Sequence, residues 1–321
     1  MESTTTVAGR DREARATRIA GYGFALAAGA VWGTTGPLST ALYKEGASLT
    51  GIGFWRILVG SLALIAYGMT RPGFFRIDRR GLLVVGLGGG ALVALFEVAY
   101  QFGIAGTGVA GAAALLYTAP VIVALLAKPL LGETLTRTRL LLAVVVMAGA
   151  ALTVRGGSHG SGVTTVAMPS LIAGIAGGLF AALSYAGSTL LGRWSVPRYG
   201  AQRVLLLEIA GGTLILGIIL PLAGQPPIMP PTPGAWLYIA ALAIGPVLGA
   251  NILFFAALRR IDAAPTAVAA TVEPVVGSIL ALLLFSQQLT AVGWLGLALV
   301  VGGVAGGYLT EGEAPVRAAE V

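Results

Sequence analysis

The sequence predicts an all-α polytopic membrane protein, with ten transmembrane helices arranged as two inverted five-helix repeats. Three observations carry this expectation. Of 321 residues, 56% are hydrophobic and only 10% charged, against about 25% charged in a soluble globular chain. Long apolar runs recur along the chain, and the second half repeats the pattern of the first at an offset of 154 residues. The composition excludes an ordinary soluble enzyme domain. With 0 cysteines there is no disulfide and no thiolate metal site, and the lone histidine, His159, lies in a Gly/Ser stretch, so no histidine-based metal site is expected. No cofactor is expected either. The net charge of +7 does not point to nucleic acid, because the basic residues sit in loops beside apolar runs.

The apolar runs, read by length, place spans at 19–42, 50–70, 81–103, 106–128, 137–154, 168–190, 201–223, 234–258, 263–286 and 290–310. Residues 1–18 are polar and do not read as a secretory signal. Pro, Gly and charge clusters separate the runs, as in TRPGFFRIDRR before the third, AKPLLGETLTRTR before the fifth and GQPPIMPPTPG before the eighth. The link between the third and fourth spans, around residues 103–106, is so short that those helices must be antiparallel neighbours. With the N-terminus inside, 17 of the 20 basic residues fall in inner segments. Only Lys44 and Arg155 fall outside, and Arg56 lies within a span. Both termini are therefore expected to be cytoplasmic, in a cell (plasma or inner) membrane. The resulting division is a cytoplasmic tail (1–18), a first five-helix unit (19–154), an external linker (155–167), a second unit (168–310) and a cytoplasmic tail (311–321).

The repeat shows when residues 113–136 are placed over 267–290. Pro120 meets Pro274, Val121 meets Val275, and Leu135-Thr136 meets Leu289-Thr290. In the same register Tyr100 meets Phe254 and Glu97 meets Asn251. Arg56 falls near Glu208 at an offset of 152. Five spans per unit is an odd number, so the second unit enters the membrane from the opposite side. Inverted repeats of this kind are the architecture of secondary transporters.

Three segments resemble the EamA branch of the drug/metabolite transporter superfamily: AAGAVWGTTGP (27–37), YTAP with LLGETLT (117–120 and 130–136), and VEPVVGSILALLLFSQQLT (272–290). The resemblance covers about residues 20–310 and implies a ten-helix fold of two tandem units with cytoplasmic termini. It also implies export of amino acids or other small metabolites. One departure is visible, since Gln287 stands in the second unit where the first has Glu133.

Charges and polar groups inside spans supply the candidate site, because each is costly unless paired or wet. Glu273, about ten residues into the ninth span, shares a helical face with Thr266, Ala270 and Gly277. It reads either as a cavity carboxylate binding a proton or a substrate amine, or as a helix-packing carboxylate. Glu97, on a face with Gly90, Ala94 and Gln101, is the second candidate, with its repeat mate Asn251. Trp32, Tyr100, Tyr117 and Tyr185 lie within spans rather than in an interfacial belt, so each either touches substrate or packs. Pro37, Pro120, Pro246 and Pro274 are expected kinks or hinges. Arg56 and Glu208, close to span ends, read as interfacial anchors, and a bridge between them is not expected. The glycines at 86–90 and 177–178 serve close helix packing.

The function expected from these residues is secondary active transport of a small metabolite by alternating access, with protons as a possible coupling ion. The expected partners are a small-molecule substrate and the lipid bilayer, and the chain is a monomer or a homodimer. The competing readings are a channel or transport-inactive membrane protein, and an intramembrane enzyme. The last lacks a nucleophile with a nearby base or adjacent paired acids.

Overall fold

The computed structural model describes residues 2–156, 168–285 and 290–310. The expected external linker, the C-terminal tail and Gln287 fall mainly or wholly outside them. Among the described residues the chain is helical throughout, with turns between elements. In chain order the helices are α1 (Glu2–Trp32), α2 (Thr35–Lys44), α3 (Leu49–Met69), α4 (Gly90–Leu116), α5 (Ala119–Leu131), α6 (Arg137–Gly156) and α7 (Met168–Tyr199). They continue with α8 (Ala201–Leu222), α9 (Pro233–Leu242), α10 (Asn251–Leu258), α11 (Ala263–Ala270), α12 (Glu273–Phe285) and α13 (Ala291–Thr310). Wider π-helical turns at Gly81–Gly89 and Ala243–Ala250 lead into α4 and α10. The tail expected at 1–18 is helical from Glu2 and continuous with the first span.

Among the described residues, seven stretches are long and apolar enough to cross a membrane: Thr50–Met69, Gly81–Tyr100, Ala112–Leu131, Leu171–Tyr199, Ala201–Leu222, Pro233–Leu258 and Ala291–Thr310. Two of the three remaining expected spans are interrupted. The run 19–42 breaks at Gly33-Thr34 between α1 and α2, and 263–286 breaks at Thr271-Val272 between α11 and α12. The third is α6, a helix of 20 residues with arginines at both ends.

No coil separates the third and fourth spans, because helical hydrogen bonding runs through residues 103–106. The chain nevertheless folds back within α4. A Cβ placed on Gly103 would lie 3.2 Å from the Ala112 methyl, whereas nine residues of straight helix rise about 13.5 Å. Gly177 and Gly178 of α7 pack against this hairpin, meeting Phe102 and Leu115.

Small residues set the helix spacing. A Cβ on Gly90 would come 2.6 Å from the Gly211 carbonyl carbon, so α4 and α8 touch backbone to backbone. The α6–α13 contact is similar, with Gly149 facing the Gly296 carbonyl and Gly303 facing Val146. Large aliphatic side chains point outward instead: Leu62, Leu141, Leu214, Ile218 and Leu283 are all exposed. A soluble protein could not carry that much bare apolar surface, and in hydrocarbon it is the appropriate one.

Candidate functional site

Two helix interruptions occur at matching places in the two units and face each other. Helix α4 ends at Leu116, the Tyr117-Thr118 turn follows, and α5 restarts with Pro120 in its first turn. In the second unit α11 ends at Ala270, the Thr271-Val272 turn follows, and α12 restarts at Glu273-Pro274. Proline fits a first helical turn because the N–H it lacks has no partner there. Pro120 and Pro274 thus begin new helices, where the sequence suggested kinks in continuous ones. The Thr118 and Thr271 hydroxyls donate back to the Leu115 and Ala267 carbonyls, at 2.7 Å and 2.9 Å. The Leu115 carbonyl also accepts the Thr118 N–H, at 3.1 Å.

Between the two interruptions lies a small, partly open cavity lined by Tyr117, Pro120, Tyr185, Ala270, Thr271 and Glu273 among others. A third break closes in from α1. A Cβ on Gly33 would lie 2.9 Å from the Glu273 carbonyl oxygen, so only glycine admits this approach. Glu273 is therefore the first residue of a restarted helix, where backbone N–H groups favour a carboxylate. It is not deep inside an unbroken one. The expected face of Thr266, Ala270 and Gly277 is correspondingly cut, since Thr266 and Ala270 belong to α11. Thr266 spends its hydroxyl on the Asp262 carbonyl at 2.7 Å.

Tyr185 joins the cavity wall to an aromatic cluster behind it. The Trp32 ring lies 6.0 Å from Tyr185 and 5.2 Å from Phe254. Its indole N–H donates to the Pro246 carbonyl at 3.0 Å, inside the second π-helical segment. Asn251 donates to the carbonyls of Val247 at 2.8 Å and Pro246 at 3.3 Å, so its amide serves its own helix. Tyr100 stacks on Phe96 at 5.6 Å and is not among the residues lining the cavity. Pro37 is the third residue of α2.

Glu97 and Arg56 form a buried ion pair. Arg56 Nη2 lies 2.5 Å from Glu97 Oε1, with side-chain exposures of 17% and 8%. Gly53 makes room for it, since a Cβ there would sit 2.7 Å from Glu97 Oε2. Arg56 is thus a counterion to Glu97 and not an interfacial anchor. Its Nε is buried without a partner, and its positive field reaches Glu273. Glu273 in turn acts electrostatically on Tyr117 and Tyr185. Glu208, the other expected anchor, is 4% exposed and has an unpartnered Oε1.

At the end of the bundle that carries most basic loops, a second ionic cluster ties the two units together. Arg193 lies 3.3 Å from Glu133 and 3.1 Å from Asp262, and Arg139 lies 3.0 Å from Asp262. Arg193 also donates to the Leu258 carbonyl. The Glu133 oxygens accept the Ala263 N–H at 2.9 Å and 3.1 Å, capping the start of α11. Burial, and after it the neighbouring Asp262 carboxylate, push the Glu133 carboxyl above its ordinary range, against the pull of Ala263, Arg193 and Arg139. The sequence counted Arg139 and Arg193 only as topology determinants. Their convergence with Glu133 and Asp262 joins residues up to 130 positions apart, which helical periodicity cannot register. Phe254 could have been found, since it occupies the repeat position of Tyr100.

The sequence model of the EamA-like transporter family matches residues 19–155 and 172–308. Among curated proteins, the Pseudopaline exporter CntI of Pseudomonas aeruginosa is 28% identical over 65% of this chain and 69% of that protein. An uncharacterized transporter of Archaeoglobus fulgidus is 26% identical over 84% of this chain and 90% of its own length. The uncharacterized transporter YwfM of Bacillus subtilis is 25% identical over 88% and 91%. A solved crystal structure of another protein superposes with a TM-score of 0.75 at 20% identity, covering 90% of this chain and 96% of that one. That likeness supports the fold.

Proposed function

Since the chain belongs to the EamA-like transporter family, we propose that it is a secondary active exporter of a small metabolite, of the amino-acid or related class, working by alternating access. The observation that carries this reading is the pair of interrupted helices, α4/α5 and α11/α12, meeting at one cavity with Glu273 at its wall. Discontinuous helices in corresponding positions of two repeats are where transporters of this design hold their cargo. In this reading ten helices cross the membrane, the two units are inverted, and the basic end faces the cytoplasm. Glu273 receives a substrate ammonium group or, in its place, a proton. Trp32, Tyr185 and Phe254 cover the apolar part of the substrate.

Counterflow in proteoliposomes tests the proposal. Vesicles preloaded with an unlabelled amino acid or amine should take up the labelled compound faster than empty ones, with saturation. Equal rates in loaded and empty vesicles across a broad metabolite panel would remove alternating access and favour a channel or an inactive protein.

The Glu133 cluster is then the closure of the cytoplasmic end, and its pH dependence has a definite sign. In a form open at that end, Glu133 meets water and titrates in the ordinary carboxylate range, about 4.3. In the closed form its value is raised, so the closed form holds its proton more tightly. Closure is fully favoured below the ordinary value and loses that advantage as pH rises through the raised one. A cysteine introduced by Ala270→Cys, in a chain with 0 native cysteines, should react several-fold faster from the cytoplasmic side as pH rises through this window. Glu133→Gln keeps an acceptor for the Ala263 N–H but cannot titrate. Dividing by its rate at each pH removes intrinsic thiol chemistry, and a flat ratio would rule the closure out.

A further inference from the structure

The basic end holds more positive charge than the Glu133 cluster uses. Two corners meet there: residues 70–80, between α3 and the first π-helical segment, and the α7–α8 corner of the second unit. They bring together Arg71, Arg76, Arg79, Arg80, Arg198 and Arg203 against one acid, Asp78. Asp78 is already engaged, since its Oδ1 accepts the Gly81 N–H at 2.9 Å and its carboxylate hydrogen-bonds the Tyr199 hydroxyl. Contact between the corners is direct. Arg203 Nη2 donates to the Gly73 carbonyl at 3.0 Å while its guanidinium lies over Phe74.

One arginine from each corner approaches the same ring. The guanidinium carbons of Arg80 and Arg198 lie 5.1 Å and 4.6 Å from the Trp194 centroid. The two charges are thus at most about 10 Å apart, comparable to the Debye length of about 8 Å at physiological salt, and both residues are exposed. Beside this cationic level the surface turns apolar: Met69 is 71% exposed, Phe75 51%, Leu82 51% and Leu83 52%. A charged level placed at an aromatic-marked interface, continuous with bare aliphatic surface, matches a molecule with an anionic head and hydrocarbon tails.

We infer that this corner binds an anionic phospholipid, its phosphate between Arg80 and Arg198 and its acyl chains along Leu82 and Leu83. The lipid bridges the two units from outside the bundle and takes no part in the cavity. The inference does not depend on what is transported.

Native mass spectrometry of the detergent-solubilised full chain tests it, with phosphatidylglycerol and phosphatidylcholine as competing probes. The unaltered protein is expected to retain phosphatidylglycerol about tenfold in preference. Arg80→Ala with Arg198→Ala should bring the ratio near unity. Arg12→Ala with Arg15→Ala, which removes the same charge from α1, should leave it unchanged. Should the double variant fail to fold, Arg80→Ala alone is expected to lower the preference at least threefold. Equal losses in the corner and α1 variants, or a preference that survives the corner changes, overturn the site. Displacement of the lipid by millimolar inorganic phosphate would assign the pocket to a soluble anion and overturn the lipid reading as well.

Discussion

Glu273→Gln is expected to lower substrate counterflow by about 10- to 100-fold while leaving the fold and the cavity volume unchanged. The substitution is isosteric and retains hydrogen-bonding capacity, so what it removes is the negative charge. A charge-assisted hydrogen bond contributes about 1.5–3 kcal/mol, and each 1.4 kcal/mol is about tenfold. Glu273→Asp keeps the charge but withdraws it by one methylene, so it should fall between the two. The measurement is the initial counterflow rate, normalised to reconstituted protein, for whichever compound gives saturable exchange. A packing carboxylate would behave differently, since the Gln variant would keep its contacts and transport at the native rate. That outcome would return Glu273 to a structural role and leave the cavity without its principal charge.

The Arg56–Glu97 pair gives the second large effect, this time on stability. Both side chains are mostly buried, and removing one partner strands the other. Arg56→Met should cost about 3–5 kcal/mol, the usual penalty for an uncompensated buried charge. The cost should appear as a marked fall in the apparent Tm of the purified protein in detergent. The double change Arg56→Met/Glu97→Leu removes both charges and should recover most of the loss, because a well-packed apolar pair of similar volume is often as stable as the ionic one. If the double variant is as unstable as the sum of the single changes, the two residues are not coupled. Transport separates the roles further. If the double variant folds and still exchanges substrate at the native rate, the pair serves stability alone.

The sequence made the membrane character, the two units and the register of their alignment legible, because hydropathy and a 154-residue offset are properties of single segments. It also drew attention to Pro120 and Pro274 as a matched pair. What it could not give was the consequence of those prolines. Ala- and Val-rich runs at 106–128 and 263–286 look continuous by hydropathy, yet the chain turns at Tyr117-Thr118 and Thr271-Val272 and begins again. The Gly33 break was hidden for the same reason, since the glycine is required by the approach of Glu273 from another helix. Tyr117, Tyr185 and Glu273 were identified and do line one cavity. Trp32, Glu97, Tyr100 and Asn251 are absent from its lining, engaged respectively with the Pro246 carbonyl, Arg56, Phe96 and the Val247 carbonyl. Arg56 was misread because its counterion lies 41 residues away on another helix. Depth along a span says nothing about a neighbour on the next one.

The seam of Gly149, Gly296 and Gly303 between α6 and α13 bears on how the molecule is assembled. These helices close the first and second units, and their backbones meet directly at Gly149 and Gly296 while Gly303 seats the Val146 side chain. Recognition between the halves is therefore written in part into these matched surfaces. Two separately translated halves are expected to pair through them in the bilayer, as two subunits of a dimer do. The single chain then resembles a heterodimer whose subunits happen to be covalently connected, with the α6–α13 contact as one part of an interface that also includes α4 against α7 and α8.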